Sequence, residues 1–168
     1  MDAKVSIIMG STSDLGVMEN AAKILDEFEI PFEINALSAH RTPEAVEKFA
    51  KGAKDRGIKV IIAGAGMAAH LPGVIAAMTP LPVIGIPIKA SLDGWDAMLA
   101  ILQMPPGIPV ATVAINGAQN AGILAVQMMA LGDEALMERL LQFKENLKGK
   151  IIKANQDLSE IKYKFKTN

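Results

Sequence analysis

Cysteine is absent from the 168 residues of this chain. That excludes disulfides, thiolate-bound zinc and a cysteine nucleophile together, and it fits a reducing compartment. Net charge is nearly absent too: 17 Lys and Arg against 18 Asp and Glu leave −1, with a pI near 6.1. No global field would then hold nucleic acid or an anionic membrane, so neither is expected as a partner. A G-x-x-x-x-G-K-[ST] element is missing, which leaves ATP hydrolysis without an anchor. The start, Met1-Asp2-Ala3-Lys4, runs into a short apolar segment without signal-peptide architecture, and a cytoplasmic protein is expected.

Charge is also missing locally. Val60 to Ile88 contains no Asp, Glu, Lys or Arg, and neither does Ala97 to Gly132. Either stretch is long enough to span a bilayer. Pro72, Pro80, Pro82 and Pro87 interrupt the first, however, and Pro105, Pro106 and Pro109 the second. Each proline removes a donor where a lipid-facing helix needs an unbroken ladder, so burial in a soluble fold is expected. A 17.8 kDa monomer with 51% hydrophobic residues has trouble hiding both stretches, so subunit contacts are expected to cover part of them.

What is present repeats as strand, glycine-bearing turn and helix. Val5–Met9 is a short apolar run ending at Gly10, the form of a buried parallel strand. Leu15, Met18, Ala21, Ala22, Leu25 and Phe28 then recur at helical spacing. Phe32, Ile34 and Ala36 alternate as a second strand, and Thr42-Pro43-Glu44 supplies an N-cap, a first-turn proline and an acid for a helix ending near Gly57. Val60–Ala63, Val83–Ile86 and Val110–Ile115 read as further strands. They are followed by helices around Val74–Met78, Trp95–Leu102 and Gly122–Leu131. Leu136, Leu140, Phe143 and Leu147 mark a long amphipathic helix from Asp133, and the lysine-rich last residues, 149–168, read as a solvated tail or packing arm.

This alternation predicts a three-layer αβα, flavodoxin-like α/β fold with a five-stranded parallel sheet in the order 2-1-3-4-5 and an added C-terminal helix. One domain over 1–168 is expected, its core about 4–132 and its helix and tail about 133–168. The strand order reverses between strands 1 and 3. The turns Gly10–Asp14, Ser38–Thr42 and Gly64–His70 should therefore meet at one crevice.

Each turn carries chemistry. Gly10-Ser11-Thr12-Ser13-Asp14 offers backbone donors and hydroxyls to a phosphate, and Asp14 could accept from ribose hydroxyls. Ser11 or Ser13 as a plain helix cap explains the same residues, and local sequence leaves both roles open. Ser38-Ala39-His40-Arg41-Thr42-Pro43 holds one of only two histidines beside an arginine that can clamp an anion. Imidazole titrates near neutrality and can both give and take a proton. A surface His-Arg pair is the competing reading, and the position at the crevice tilts towards function.

Gly64-Ala65-Gly66-Met67-Ala68-Ala69 matches the G-x-G-x-x-A form of a dinucleotide fingerprint. It follows strand 3 rather than strand 1, the next strand ends in Pro87, Ile88 and Lys89 with no acid there to hold an adenosine ribose, and Pro72-Gly73 should interrupt the helix that would receive the pyrophosphate. A tight apolar pocket walled by Gly64, Ala65, Gly66 and Ala68 is the better reading, with His70 lending one polar contact; taken alone, His70 reads more simply as a core histidine. Two histidines without a carboxylate cluster make no convincing metal site. The ten methionines fall mainly at helical core or contact positions and need no cofactor.

Taken together, Met9-Gly10-Ser11-Thr12-Ser13-Asp14, Ser38-Ala39-His40-Arg41-Thr42-Pro43 and Ala63-Gly64-Ala65-Gly66-Met67-Ala68-Ala69-His70-Leu71-Pro72-Gly73 resemble the N5-carboxyaminoimidazole ribonucleotide mutase family, known as PurE. Gln103–Val110 is similar to its later loop, and Asn120-Ala121 falls at its last strand–helix junction; the likeness runs from Lys4 to Lys150. The resemblance implies a small-molecule ribonucleotide substrate in purine synthesis, whose carboxylate moves from an exocyclic amine to ring carbon 4 without metal or cofactor. It implies His40 and His70 as catalytic residues, with His40 protonating the departing nitrogen and later taking the proton from carbon 4. It also implies substrate contacts from Gly10, Ser11, Ser13, Asp14, Ser38, Arg41, Ala65, Gly66, Met67, Ala68 and Leu71. Ser11, Ser13 and Arg41 would hold phosphate, Asp14 the ribose, and Gly64 to Ala69 with His70 would enclose carbon dioxide. A homo-octamer is implied as well.

Two departures from the family pattern stand out. Met67 occupies a place where many relatives carry glycine, and Lys89–Gly94 is about one residue short, with Lys89 and Ser91 as candidate lid contacts. The sister reaction, direct carboxylation of aminoimidazole ribonucleotide, goes with Lys at position 41 and a Gly-Arg-Ser-Asn-like third loop. This chain has neither, which favours the mutase. A non-catalytic nucleotide-binding module is the alternative from another class.

Overall fold

Five short apolar segments form one parallel sheet in a computed structural model that describes residues 2–168. They are β1 (Val5–Met9), β2 (Phe32–Ala36), β3 (Val60–Gly66), β4 (Val83–Ile88) and β5 (Ala111–Thr112), in the order β2-β1-β3-β4-β5. β1 and β4 are buried along their whole length and β3 up to Ala65, which is why they read as near-continuous apolar runs, and the buried Ser6 of β1 donates to Glu33 Oε1 at 3.0 Å. β2 lies at the edge and is only half covered, so its sequence alternates instead.

Helices cover both faces. On one, α2 (Pro43–Gly52), α3 (Leu71–Ala76) and α4 (Trp95–Leu102) bring Val46, Phe49, Ala50, Ile75, Ala97 and Ile101 onto Ile8, Ile61, Ala63 and Ala65. On the other, Met18 of α1 (Leu15–Glu27) lies over Gly64. α5 (Ala118–Ala130) approaches α1 so closely that a β-carbon on Gly122 would stand 2.9 Å from Ile24 Cβ and 3.0 Å from the Ala21 carbonyl. The chain divides into two compact units, Met1–Met129 and Ala130–Asn168. The second holds α6 (Glu134–Glu160), which starts at Asp133, whose carboxylate accepts from the Leu136 amide at 3.0 Å.

Several expectations need correction. Pro72-Gly73 does not interrupt a helix: α3 begins at Leu71, and Pro72 sits in the first turn, where a missing N–H costs nothing. That objection to a dinucleotide site falls, while strand position and the missing acid still stand against it. The fifth strand keeps only two ladder residues. Pro109 brings no donor, and beyond Thr112 the chain follows β4 through irregular bonds, Val113 N–H to Gly85 O and Asn116 N–H to Pro87 O. α2 ends at Gly52, and Gly57 instead closes the following turns with φ +87°. α5 begins at Ala118 rather than Gly122 because that glycine serves the contact with α1. Most of the supposed tail is helical through Glu160, since residues 150–160 contain neither Gly nor Pro.

The first charge-free stretch is largely hidden within one chain, because β3 and β4 lie inside the sheet. No helix among the described residues is long and apolar enough to cross a membrane.

Gly85, in the middle of β4, has no room for a side chain. A β-carbon there would stand 2.6 Å from Ile101 Cγ2 and 2.9 Å from Val110 Cγ1, both on stiff β-branched residues. Gly85→Ala should lower unfolding free energy by about 1–3 kcal/mol, read from urea denaturation.

Candidate active site

Register brings the site together. Met9 at the end of β1 pairs with Ala36 on one side and Gly64 on the other, so the loops after β1, β2 and β3 leave the sheet side by side. They enclose an open cleft of about 440 Å³, a volume suited to a small ligand. The first loop contributes Gly10, Ser11, Ser13 and Asp14, and the second Ser38, Ala39, His40 and Arg41. The third supplies Ala65, Gly66, Met67, Ala68, His70 and Leu71. Both histidines and all eleven residues implied as substrate contacts by the family resemblance therefore line one cleft.

His40 and His70, thirty positions apart, meet there. His40 Nε2 lies 2.7 Å from His70 Nδ1, with the rings edge to face at 4.9 Å between centroids. One nitrogen of that pair carries the proton and the other accepts it, so the tautomer of each ring is tied to its neighbour. His70 is thus no core histidine satisfied by a backbone carbonyl; it is exposed and paired with the other candidate acid–base group.

Arg41 reaches across the cleft floor. Its Nη2 donates to the Gly10 carbonyl at 2.9 Å and its Nε to Ser38 Oγ at 3.4 Å, which locks the second loop to the first. A guanidinium has five N–H donors, so further donors remain for an anion. Thr42 strengthens the same loop rather than capping α2: its hydroxyl donates to Ser38 O and accepts from Ser38 N.

In the first loop Ser11 Oγ accepts from the Ser13 amide at 3.3 Å, so Ser11 is at once a cap and a cleft residue. Ser13 Oγ donates to Asp14 Oδ1 at 3.1 Å. Burial pushes the Asp14 carboxyl above its ordinary range, and the bond from Ser13 offsets part of that rise.

The apolar side differs from expectation in two places. Gly64 faces α1 rather than the cleft, and a β-carbon on it would fall 2.3 Å from Met18 Sδ. Lys89 and Ser91 do not line the cleft: Lys89 Nζ pairs with Asp93 at 2.9 Å, and its amide donates to Asn116 Oδ1. Ala90 takes their place, and together with Ala39 it is a lining residue that the motifs did not single out. The clue to Ala90 was Gly66, whose missing side chain leaves room for the loop after β4, since a β-carbon there would stand 3.3 Å from Ala90 Cβ. Met67 adopts φ +55° and stays exposed, a left-handed conformation that costs a residue with a β-carbon about 1–2 kcal/mol. Among the described residues, no three His, Cys, Asp or Glu gather in a way that could hold a metal.

Residues 4–150 match the family described as AIR carboxylase. The chain belongs to that family. A Pyrococcus abyssi protein of the family, named N5-carboxyaminoimidazole ribonucleotide mutase, is 56% identical over 146 residues, covering 86% of this chain and 84% of the relative. A longer Schizosaccharomyces pombe protein, named phosphoribosylaminoimidazole carboxylase, is 53% identical over 161 residues, 95% of this chain but 29% of that protein. The crystal structure of Treponema denticola PurE2-S38D superposes with a TM-score of 0.85 at 31% identity, covering 94% of this chain and 99% of that one. The AIR carboxylase fold thus carries the five-stranded order read from the sequence.

Two measurements follow from the strained and desolvated groups in this family member. A carboxyl whose folded pKa is raised favours folding below its unfolded pKa, near 3.9 for Asp, and loses that contribution as pH rises through the folded value. Asp14→Asn should therefore gain stability relative to the parent on going from acid to neutral pH, as thermal melts across that range would show. At Met67, Gly relaxes the backbone at some cost in unfolded-state entropy. Met67→Gly should exceed Met67→Ala in unfolding free energy by about 0.5–1 kcal/mol in urea.

Proposed function

We propose that this chain is an isomerase of purine biosynthesis that converts N5-carboxyaminoimidazole ribonucleotide to 4-carboxy-5-aminoimidazole ribonucleotide. One observation carries the reading: the His40–His70 pair lines the same cleft as Ser11, Ser13 and Arg41 and as the apolar residues Ala65, Met67, Ala68 and Leu71. The likeness to a protein named for this mutase activity, over 86% of this chain and 84% of that protein, supports it.

The roles follow from position. Ser11, Ser13 and Arg41 hold the phosphate through charge-assisted bonds, with Gly10 and Ser38 fixing the Arg41 guanidinium. Asp14 accepts from ribose hydroxyls, and a desolvated acceptor suits neutral donors. His40 gives a proton to the exocyclic nitrogen as its bond to the carboxylate breaks and carbon dioxide departs. Ala65, Gly66, Met67, Ala68 and Leu71 keep that molecule beside ring carbon 4, which supplies effective concentration. Carbon 4 then attacks it, and His40 recovers the proton from carbon 4 while His70 holds the imidazole in place. No cofactor takes part in this sequence of steps.

The relative named as a carboxylase favours a second reading, direct capture of carbon dioxide by aminoimidazole ribonucleotide. Arg41 and the Gly64–His70 loop favour the mutase. The proposal includes a homo-octamer in the cytoplasm. Exposed Trp95, Leu99 and Leu102 share one face of α4 by their helical spacing and support assembly, because contiguous apolar surface is normally covered.

Purified protein given each substrate separately decides between the readings. The N5-carboxy compound should turn over, and aminoimidazole ribonucleotide with bicarbonate should not; the opposite pattern identifies a carboxylase, and no product from either leaves a binding module. His40→Asn should retain ribonucleotide binding by calorimetry while turnover falls by roughly 10²–10⁴.

A further inference from the structure

We infer that Asn116 is a positioning residue for the cleft: its side chain stands in for a missing strand bond and thereby sets Ala90 against the substrate. The link to substrate rests on the reaction proposed above. Among the described residues, Ala90 is the one cleft residue that the loop after β4 provides.

The bond pattern at the end of β4 is the first reason. β4 and β5 pair Ile84 with Ala111 and Gly85 with Thr112, a register that would bring Ile115 opposite Ile88. Asn116 stands there instead. Its amide donates to Pro87 O at 2.8 Å, and its side-chain Oδ1 accepts from the Lys89 amide at 2.9 Å. A residue opposite Ile88 in a parallel ladder would make those same two bonds, with its own carbonyl as the acceptor. The Asn116 carbonyl is engaged elsewhere, accepting from the Ala118 amide at 2.9 Å where α5 begins. The backbone at Asn116 is left-handed, with φ +56°, a conformation that asparagine tolerates better than most residues. One inserted residue and a side-chain acceptor thus let the chain leave the sheet for α5 while still holding the end of β4.

The loop held in this way has little else to fix it. Lys89 to Asp93 are all exposed, and Leu92 and Asp93 carry φ of +44° and +55°, which side chains with a β-carbon adopt only at a cost. The Lys89–Asp93 ion pair lies in solvent, where such pairs contribute little. At the far end Gly94 packs against Ile115, and a β-carbon there would stand 2.8 Å from Ile115 Cγ2. Ile115 and Asn116, adjacent in sequence, therefore grip the two ends of the loop. Releasing the Lys89 amide frees the next residue, Ala90, which faces the cleft.

Three variants of the full-length protein test this. Asn116→Gly keeps the left-handed backbone and removes the acceptor, Asn116→Asp keeps an acceptor, and Asn116→Ala loses both advantages. Hydrogen–deuterium exchange read by mass spectrometry should be several-fold faster in peptides spanning Lys89 and Ala90 for the Gly and Ala variants than for the parent or Asn116→Asp. With N5-carboxyaminoimidazole ribonucleotide, the Gly and Ala variants should raise KM about three- to tenfold with kcat near the parent value, and Asn116→Asp should keep the parent KM. Unchanged exchange in Asn116→Gly overturns the inference, as does faster exchange with an unchanged KM or with a fall confined to kcat. A defect in Asn116→Ala that Asn116→Gly repairs also overturns it, because backbone strain alone would then explain the effect. Failure of the underlying reading looks different: the parent turns over none of the substrate, while the exchange pattern holds.

Discussion

The position of β1 between β2 and β3, with Met9 facing Ala36 and Gly64, is the constraint on which the cleft depends. All five residues of β1 are buried, so apolar side chains are needed on both of its faces. Slipping a strand by one residue would exchange those faces and offset the loops that follow. Burial therefore fixes the register, and the register fixes where three loops begin. The 2.7 Å contact between His40 and His70 is a consequence of that shared starting line, because neither loop alone could bring thirty-residue neighbours into hydrogen-bond range.

The cleft also carries two local costs. Asp14 gives up part of its hydration, and Met67 holds a left-handed backbone, while β1, β3 and β4 show ordinary apolar packing. Sites commonly carry such costs, and a well-packed sheet offsets them. The two departures fall on opposite walls. Asp14 lies among hydroxyls and Arg41, where a polar ligand can replace lost water, and Met67 lies among alanine and glycine, where water is best kept away.

Sequence periodicity revealed the sheet because β1, β3 and β4 are covered on both sides, and it placed the three loops at one end through strand order alone. It failed where packing overrides local preference. β5 shortens because its backbone leaves the ladder after Thr112, and α5 starts early because Gly122 is needed against α1. In the site, residue type identified the titratable and charged groups but not which way glycine faced. Gly64 accommodates Met18, whereas Gly66, two residues on at the end of β3 and on the same face by strand alternation, admits Ala90, so neither residue type nor periodicity separates the two. The motif Pro72-Gly73 misled for a related reason: proline in a first turn starts a helix as readily as proline in an interior breaks one.

The two chemistries open to this fold share their final half, in which ring carbon 4 attacks carbon dioxide, and differ in where that molecule comes from. A carboxylase must admit it from solvent, so an open apolar wall serves the reaction. A mutase makes it within the cleft and must hold it, so closure serves the reaction and leakage wastes substrate. The same histidine pair and the same phosphate rim fit both. What separates them physically is the permeability of the apolar wall, which here is built by Ala65, Gly66, Met67, Ala68 and Leu71. On the proposed chemistry, the choice between retaining and admitting carbon dioxide thus rests on uncharged residues beside the acid–base pair, and the proton chemistry at His40 is common to both outcomes.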